Sequence, residues 1–357
     1  MINVTKTFLP PFDEYTALLK RIWDTAWITN NGECVVELEK QLKQYLEVPH
    51  LWFCNNGTIV LQFAIKALQL RGEIITTPFS YVATTASILW EQCTPIYADI
   101  EPESLTINPD SIEKLITDKT TSILATHVYG NPCDVERIAA IAEKNKLKVI
   151  YDAAHCFGVT YKGQSICNYG DVSTLSFHAT KLFHTVEGGA IVMRNEELAK
   201  KIFLMRQFGH LNDDHFSLGI NGKASEFHAA MGLCILPQIN KLITARKQVS
   251  EWYDDLLNRS IIEKPAVRPQ TGYNYAYYPI IFQSEEQLLR IVKALKEKQV
   301  GARRYFYPSL NVLPYLKEKY SCPVSEDISV RVLSLQLYPE LEKADVERIS
   351  QIINKNL

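Results

Sequence analysis

Among the eight cysteines of this 357-residue chain, no two form a Cys-x-x-Cys pair; they stand at 34, 54, 93, 133, 156, 167, 234 and 322. That scatter argues against a disulfide framework or a zinc site. Several lie inside apolar runs such as Trp52-Phe53-Cys54 and read as reduced, buried small hydrophobes of a cytosolic protein. No apolar run approaches the roughly 18 residues needed to span a bilayer. The opening Met1-Ile2-Asn3-Val4-Thr5-Lys6 lacks an apolar core behind a charged start, so no secretory leader is expected. A net charge of -2 offers no excess of cations for nucleic acid or an anionic membrane. There is no internal repeat, no low-complexity linker, and no Gly-x-Gly-x-x-Gly after the first strand-like run. The last absence weighs against a nicotinamide-dependent oxidoreductase.

What is present is ordinary globular composition, 46% hydrophobic and 22% charged. From about residue 50 to 195, short apolar runs alternate with helical stretches. Strands are expected at Leu51–Cys54, Glu73–Thr76, Thr94–Ile100, Ser122–Val128, Lys148–Asp152, Thr174–Phe177 and Ala190–Met193. Several of these runs are continuously apolar, as suits strands covered on both faces. Between them, Val60, Phe63, Ala64 and Ala67 keep helical spacing, and Ile138, Ile141 and Ala142 repeat the pattern. The expectation is an α/β fold with a mostly parallel sheet and active-site groups at its carboxyl strand ends. Residues 225–258 read as helical, with Pro237 kinking or restarting the helix. Beyond lies a smaller α+β unit, with strands at Tyr277–Phe282 and Val300–Tyr305 and helices at Gln287–Lys298 and Asp345–Asn356. The division is placed near 240, giving a large unit of 1–240 and a smaller one of 241–357.

The chemistry-bearing residues sit at strand ends. Asp152 closes Val149-Ile150-Tyr151-Asp152, and Lys181 follows Ser176-Phe177-His178-Ala179-Thr180. An amine and a carboxylate so delivered suit an aldehyde-bearing pyridine cofactor. The lysine can form a Schiff base with pyridoxal phosphate, and the aspartate can keep the ring nitrogen protonated. Asn55-Asn56-Gly57-Thr58 joins a strand to a helix, where free N–H groups and the dipole can cradle phosphate. Ser176 can donate to the same phosphate, and Tyr81 can stack on a planar ring. His155, three residues past Asp152, can meet the cofactor or the carboxylate; His178 can tune the lysine. Asn221 lies in a loop between helical regions, where its amide could reach phosphate. Each has a blander reading taken singly: a helix cap, a turn, a core aromatic or a solvated amine.

Taken together the segments resemble the DegT/DnrJ/StrS family of pyridoxal-phosphate-dependent sugar aminotransferases. The resemblance runs from about Phe8 to the C-terminus. It rests on Asp152-Ala153-Ala154-His155, on Ser176-Phe177-His178-Ala179-Thr180-Lys181 with Glu187-Gly188-Gly189, and on Pro78-Phe79-Ser80-Tyr81-Val82-Ala83-Thr84. Trp27-Ile28-Thr29-Asn30-Asn31-Gly32 and Thr126-His127-Val128-Tyr129-Gly130 add to it. It implies the type I aminotransferase fold, a seven-stranded mixed, mostly parallel sheet flanked by helices, and a homodimer with active sites shared between subunits. It implies Lys181 as Schiff-base lysine and general base, Asp152 on the ring nitrogen and His155 at the ring hydroxyl. Tyr81 then stacks on the ring. Gly57, Thr58 and Ser176 hold the phosphate, and Asn221 reaches the phosphate of the neighbouring subunit.

Two departures carry information. The family often has Gly-x-Asn-Tyr-Arg where this chain reads Gly219-Ile220-Asn221-Gly222-Lys223, so an arginine contact is lost or passes to Lys223. A branch with histidine in place of the lysine performs dehydration or deoxygenation, and Lys181 argues against it. Within the family, Phe8-Leu9-Pro10-Pro11, Asn30-Asn31-Gly32, Asn55-Asn56-Gly57-Thr58 and Phe177-His178-Ala179-Thr180-Lys181 look most like the enzymes that form dTDP-4-amino-4,6-dideoxyglucose. Those take nitrogen from L-glutamate and use dTDP-4-keto-6-deoxyglucose. A C3 transaminase, an enzyme for a UDP- or GDP-linked keto sugar, and a non-catalytic nucleotide-sugar-binding regulator remain open alternatives. Arg303, Arg304, Tyr305 and Tyr307 form a basic–aromatic cluster that could meet a diphosphate or a base, or serve packing alone.

Overall fold

A computed structural model describes all 357 residues. Its centre is a seven-stranded sheet built from β1 (His50–Cys54), β2 (Glu73–Thr76), β3 (Thr94–Tyr97), β4 (Thr120–Thr126), β5 (Lys148–Asp152), β6 (Val172–Ser176) and β7 (Gly189–Met193). The order across the sheet is β1-β7-β6-β5-β4-β2-β3. All pairings are parallel except those of β7, which runs against both β6 and β1. The seven expected strands are therefore present, shifted by a few residues at their ends.

The continuous apolar runs are explained by burial on both faces. In β5, Val149 and Tyr151 join one apolar cluster while Ile150 joins another on the opposite face. β4 divides Ile123 and Ala125 from Leu124 in the same way, and β7 divides Ala190 and Val192 from Ile191 and Met193. Alternate side chains leave opposite faces of a strand, so only a sheet between two helical layers makes every position apolar.

The covering helices include α1 (Phe12–Thr25), α2 (Glu33–Tyr45), α3 (Gly57–Ala67), α4 (Val82–Trp90), α5 (Pro109–Leu115), α6 (Val135–Asn145), α7 (Glu196–Met205) and α8 (Glu226–Ile235). Their starts follow local chemistry. The Asn56 side chain accepts the Ile59 N–H to open α3, and Asp134 and Ser225 do the same for α6 and α8. Val60, Phe63, Ala64 and Ala67 form the buried side of α3, as their spacing requires.

Past α8 a short 3-10 turn holds Pro237 and leads into α9 (Ile239–Leu256), then β8 (Tyr278–Ile281), α10 (Glu285–Glu297), α11 (Pro323–Arg331), β9 (Val332–Leu335) and α12 (Lys343–Lys355). β8 and β9 pair antiparallel. The strand expected at Val300–Tyr305 is not formed. Val300 makes one bridge to Ile2 and Arg303 one to Ser334, so the run is shared between two partners and extends neither ladder. We propose a division near residue 240. It is supported by one apolar cluster drawing on Ile22 to Leu242 and a second on Val249 to Ile353. All eight cysteines are buried and unpaired. No helix is long and apolar enough to cross a membrane.

Candidate active site

The carboxyl ends of β1, β4, β5 and β6 converge, and the chemistry gathers there. Parallel strands leave their last residues side by side, so Thr126 pairs in register with Asp152, and Asp152 with Thr174. Ser176, the last residue of β6, stands opposite Gly189 of β7, which also faces Cys54 at the end of β1.

Asp152 is buried. One carboxylate oxygen accepts a hydrogen bond from the Thr84 hydroxyl at 2.8 Å and the other from the Ala154 N–H at 3.1 Å. Both donors are uncharged. Burial pushes its pKa up, while the Thr84 hydroxyl, the Ala154 N–H and the Lys181 charge pull it back. A buried carboxylate without a contacting cation favours a ligand that presents one, and a protonated pyridine nitrogen has that chemistry.

His155 is buried, and its Nδ1 accepts the Tyr129 N–H at 3.1 Å. In the neutral ring the proton must then sit on Nε2, leaving that nitrogen as a donor. Burial, followed by the nearby Lys181 charge, holds its pKa well below the usual histidine range. Phe306 stacks on the ring at 5.5 Å between centroids, and Tyr277 meets it edge to face at 4.8 Å.

Lys181 is half-buried in the loop between β6 and β7. Its amine donates to the Tyr277 hydroxyl at 3.3 Å. Ala154, His155, Ser176, Lys181 and Tyr277 line one small cleft. His178 turns elsewhere: it is exposed, with Nδ1 beside the Thr180 hydroxyl at 2.8 Å and Nε2 3.7 Å from Glu187. Only its carbonyl reaches Lys181, accepting the backbone N–H at 2.8 Å.

Gly57 and Thr58 open α3, where backbone N–H groups lie outside the helical ladder. A Cβ added to Gly57 would stand 2.8 Å from the Ser176 Cβ and 2.9 Å from its Oγ, and one on Gly189 would stand 2.5 Å from the Asn56 carbonyl. The turn thus needs bare backbone against the β6 hydroxyl, the shape of a phosphate cradle. Asn221 is exposed, its side-chain oxygen accepting only the Lys223 N–H at 3.3 Å. Its loop lies on the end of β1, where Lys223 bridges Cys54 and the Gly222 carbonyl accepts the Asn55 N–H at 3.0 Å. Tyr81 precedes α4 and is exposed, next to Tyr305.

Lys181, Asp152, His155, Ser176, Gly57 and Thr58 are therefore brought together at adjoining strand ends, while Tyr81 and Asn221 are exposed in the loops entering α4 and leaving α7. Sequence reasoning missed Tyr277, Phe306 and Tyr129 as neighbours of the site. Thr84 was visible only as the last residue of the Pro78–Thr84 segment. A roomier concavity of about 840 Å³ lies between α1, α2 and α8. There Glu226 accepts the Cys34 and Val35 N–H groups at 2.7 and 3.0 Å, which is a cap for α2. Its lining holds the exposed ion pairs of Arg21 with Glu33 and Glu37, at 3.4 and 3.6 Å, and no carboxyl strand end.

The sequence profile of the DegT/DnrJ/EryC1/StrS aminotransferase family matches residues 13–354. The chain belongs to that family. It is 41% identical to a dTDP-4-amino-4,6-dideoxy-D-glucose transaminase of Shigella dysenteriae, over 99% of this chain and 98% of the relative. It is 30% identical to a GDP-perosamine synthase of Escherichia coli O157:H7, over 93% and 92%. A crystal structure of DesI in the presence of its TDP-sugar product is 28% identical and superposes with a TM-score of 0.93, covering 99% of this chain and 92% of that one. DegT/DnrJ/EryC1/StrS aminotransferases depend on pyridoxal phosphate, and the residues gathered here fit that group: a bare-backbone helix start for phosphate, an unpaired buried carboxylate, and an amine within the same cleft. This family member is an aminotransferase.

Proposed function

We propose that the chain transfers an amino group from L-glutamate to the C4 keto carbon of dTDP-4-keto-6-deoxy-D-glucose. The products are dTDP-4-amino-4,6-dideoxy-D-glucose and 2-oxoglutarate. The observation that carries the reading is the meeting of Lys181, Asp152 and His155 at the carboxyl strand ends, in a chain of which 99% aligns with the Shigella transaminase at 41% identity.

Bound pyridoxal phosphate supplies an aldehyde for amines and a ring that accepts electrons. Lys181 is the proposed anchor for that aldehyde, and its freed Nζ takes up and returns a proton at the reacting carbon. Asp152 holds the proton on the ring nitrogen. His155 offers Nε2–H to the ring oxygen while its Nδ1 accepts the Tyr129 N–H, a pairing of roles that the neutral ring with this tautomer fills. Gly57, Thr58 and Ser176 hold phosphate through N–H and O–H groups. Tyr81 covers the ring face.

A second copy of the chain completes the site in this proposal, with Asn221 reaching across to the neighbouring phosphate. Exposed Trp23, Trp27, Phe216 and Leu218 support such a partner, since large apolar side chains on one molecule favour burial by another. The cytosol suits eight reduced thiols.

The deciding experiment is a panel of dTDP-, UDP- and GDP-linked keto sugars with glutamate, the new amine located by NMR. Amination at C4 of the dTDP sugar is expected. Preference for a GDP or UDP sugar, or a C3 product, would reassign the substrate while leaving the transaminase. After borohydride and dialysis the wild type should retain the cofactor covalently and Lys181→Ala should not, and Lys181→Ala should not turn over.

A further inference from the structure

Behind Asp152 lies a row of buried hydroxyls that the proposed transamination does not use. The Thr84 hydroxyl is 2.8 Å from the Asp152 carboxylate, the Ser80 hydroxyl 2.8 Å from that of Thr84, and the Thr126 hydroxyl 2.9 Å from that of Ser80. All four side chains are at most 5% exposed. They come from four places: the end of β4, the loop after β2, the first turn of α4 and the end of β5.

Proton counting orients the row. An ionised carboxylate only accepts, so Thr84 gives it the single hydroxyl hydrogen it has. The Thr84–Ser80 contact then needs the hydrogen of Ser80, and the Ser80–Thr126 contact that of Thr126. Each bond polarises the next, all in one direction. We infer that Thr126, Ser80 and Thr84 form a one-way hydroxyl chain aimed at Asp152, which makes Thr84 the positioning residue that holds this carboxylate ionised and fixed. The inference deepens the reading of Asp152 as the ring-nitrogen partner and rests on it for its role in the reaction.

The other titratable groups around Asp152 are Lys181 from the β6–β7 loop, and His155 and Cys156 from its own loop. Of the groups that favour the ionised carboxylate, Thr84 acts most strongly, ahead of Ala154 and Lys181. Removing its hydroxyl should therefore raise the pH at which Asp152 loses its proton, and weaken the grip on a cationic ring.

Thr84→Val keeps the branched shape and deletes the donor, Thr84→Ser keeps the donor, and Ser80→Ala cuts the chain one link back. Two readouts are needed. The first is infrared titration of cofactor-free protein, with Asp152→Asn as the difference reference, to follow the carboxyl directly. The second is the dissociation constant for pyridoxal phosphate by absorbance titration across pH. Thr84→Val is expected to move the infrared midpoint to higher pH and to weaken cofactor binding about tenfold, the effect of one hydrogen bond to a charge. Thr84→Ser should restore both to within about twofold. Ser80→Ala should shift both in the same direction by less, and it decides the matter if Thr84→Val does not fold. Midpoints unchanged in Thr84→Val and Ser80→Ala overturn the chain. Wild-type protein that never binds pyridoxal phosphate sinks the cofactor reading instead, and the infrared midpoints still judge the chain.

Discussion

The Lys181 amine and the Tyr277 hydroxyl meet at 3.3 Å, across 96 residues of sequence, and the same tyrosine ring meets His155 edge to face. One phenol thus steadies two members of the cofactor site. Tyr277→Phe keeps the ring against His155 and removes only the acceptor for Lys181. A hydrogen bond of this kind contributes about 1 kcal/mol, roughly fivefold in rate. The glutamate half-reaction, followed by stopped-flow absorbance, should slow by about that factor while KM for the sugar nucleotide stays unchanged. An unaltered half-reaction would reduce Tyr277 to packing.

Gly57 tests the phosphate cradle. A methyl group there would press on Ser176 from 2.8 Å, and the Ser176 Cα at 3.3 Å leaves it no retreat. Gly57→Ala should lower unfolding free energy by about 1–3 kcal/mol, the range for overpacking, and weaken cofactor binding in parallel. Ser176→Gly removes the atoms that clash. In a double-mutant cycle by urea unfolding, the pair should therefore be less destabilising than the sum of the singles. Simple additivity would mean that the turn relaxes without touching Ser176.

A buried ion pair anchors the strand that leads into that cradle. Arg206 and Glu39 are in salt-bridge contact with side chains 1% and 8% exposed. Glu39 also accepts the Phe53 N–H at 2.9 Å, and Arg206 donates to the Phe53 carbonyl at 2.8 Å. The guanidinium lies 4.8 Å from the Trp52 ring and 5.2 Å from that of Phe203. Arg206→Met strands a buried carboxylate and should cost about 3–5 kcal/mol in chemical denaturation. Adding Glu39→Gln removes that charge but keeps an acceptor for Phe53, so the double variant should regain at least about 1 kcal/mol. A double variant no better than Arg206→Met would show that the loss is one of packing around the rings.

These contacts mark the limit of what the sequence discloses. The strands were legible because parallel strands buried on both faces become continuous apolar runs, as Val149-Ile150-Tyr151 shows. Lys181 and Asp152 were legible because strand ends fix them locally. Tyr277 and Phe306 were not, since each reaches the site only through the packing of the C-terminal unit, and an aromatic residue in an apolar run carries no mark of its neighbour. Arg206 carried no mark for the same reason: its burial depends on Glu39, 167 positions away. The missing strand at 300–305 failed on pairing rather than propensity, because Val300 and Arg303 each found a single partner in different segments.

Acid should reveal the buried histidines. His127 stacks on Tyr151 at 4.4 Å, its Nδ1 accepts the Cys133 N–H at 3.0 Å, and its Nε2 has no partner. Burial, with a smaller push from Arg268, lowers its pKa to about 3. An unfolded histidine titrates near 6.5. Between those values the unfolded chain binds a proton that the native ring refuses, so stability is complete above about pH 6.5 and falls as pH drops, by about 1.4 kcal/mol per unit. His155 and His184, also lowered by burial, add slope of the same sign. Asp152, whose pKa burial raises, opposes them below its native midpoint. His127→Asn supplies an oxygen that can accept the Cys133 N–H and cannot titrate. From pH 6.5 to 5 the variant should lose about 2 kcal/mol less stability than the wild type in urea unfolding. Equal losses would mean that His127 takes its proton in the native protein, against a ring nitrogen with no acceptor and no water-facing side.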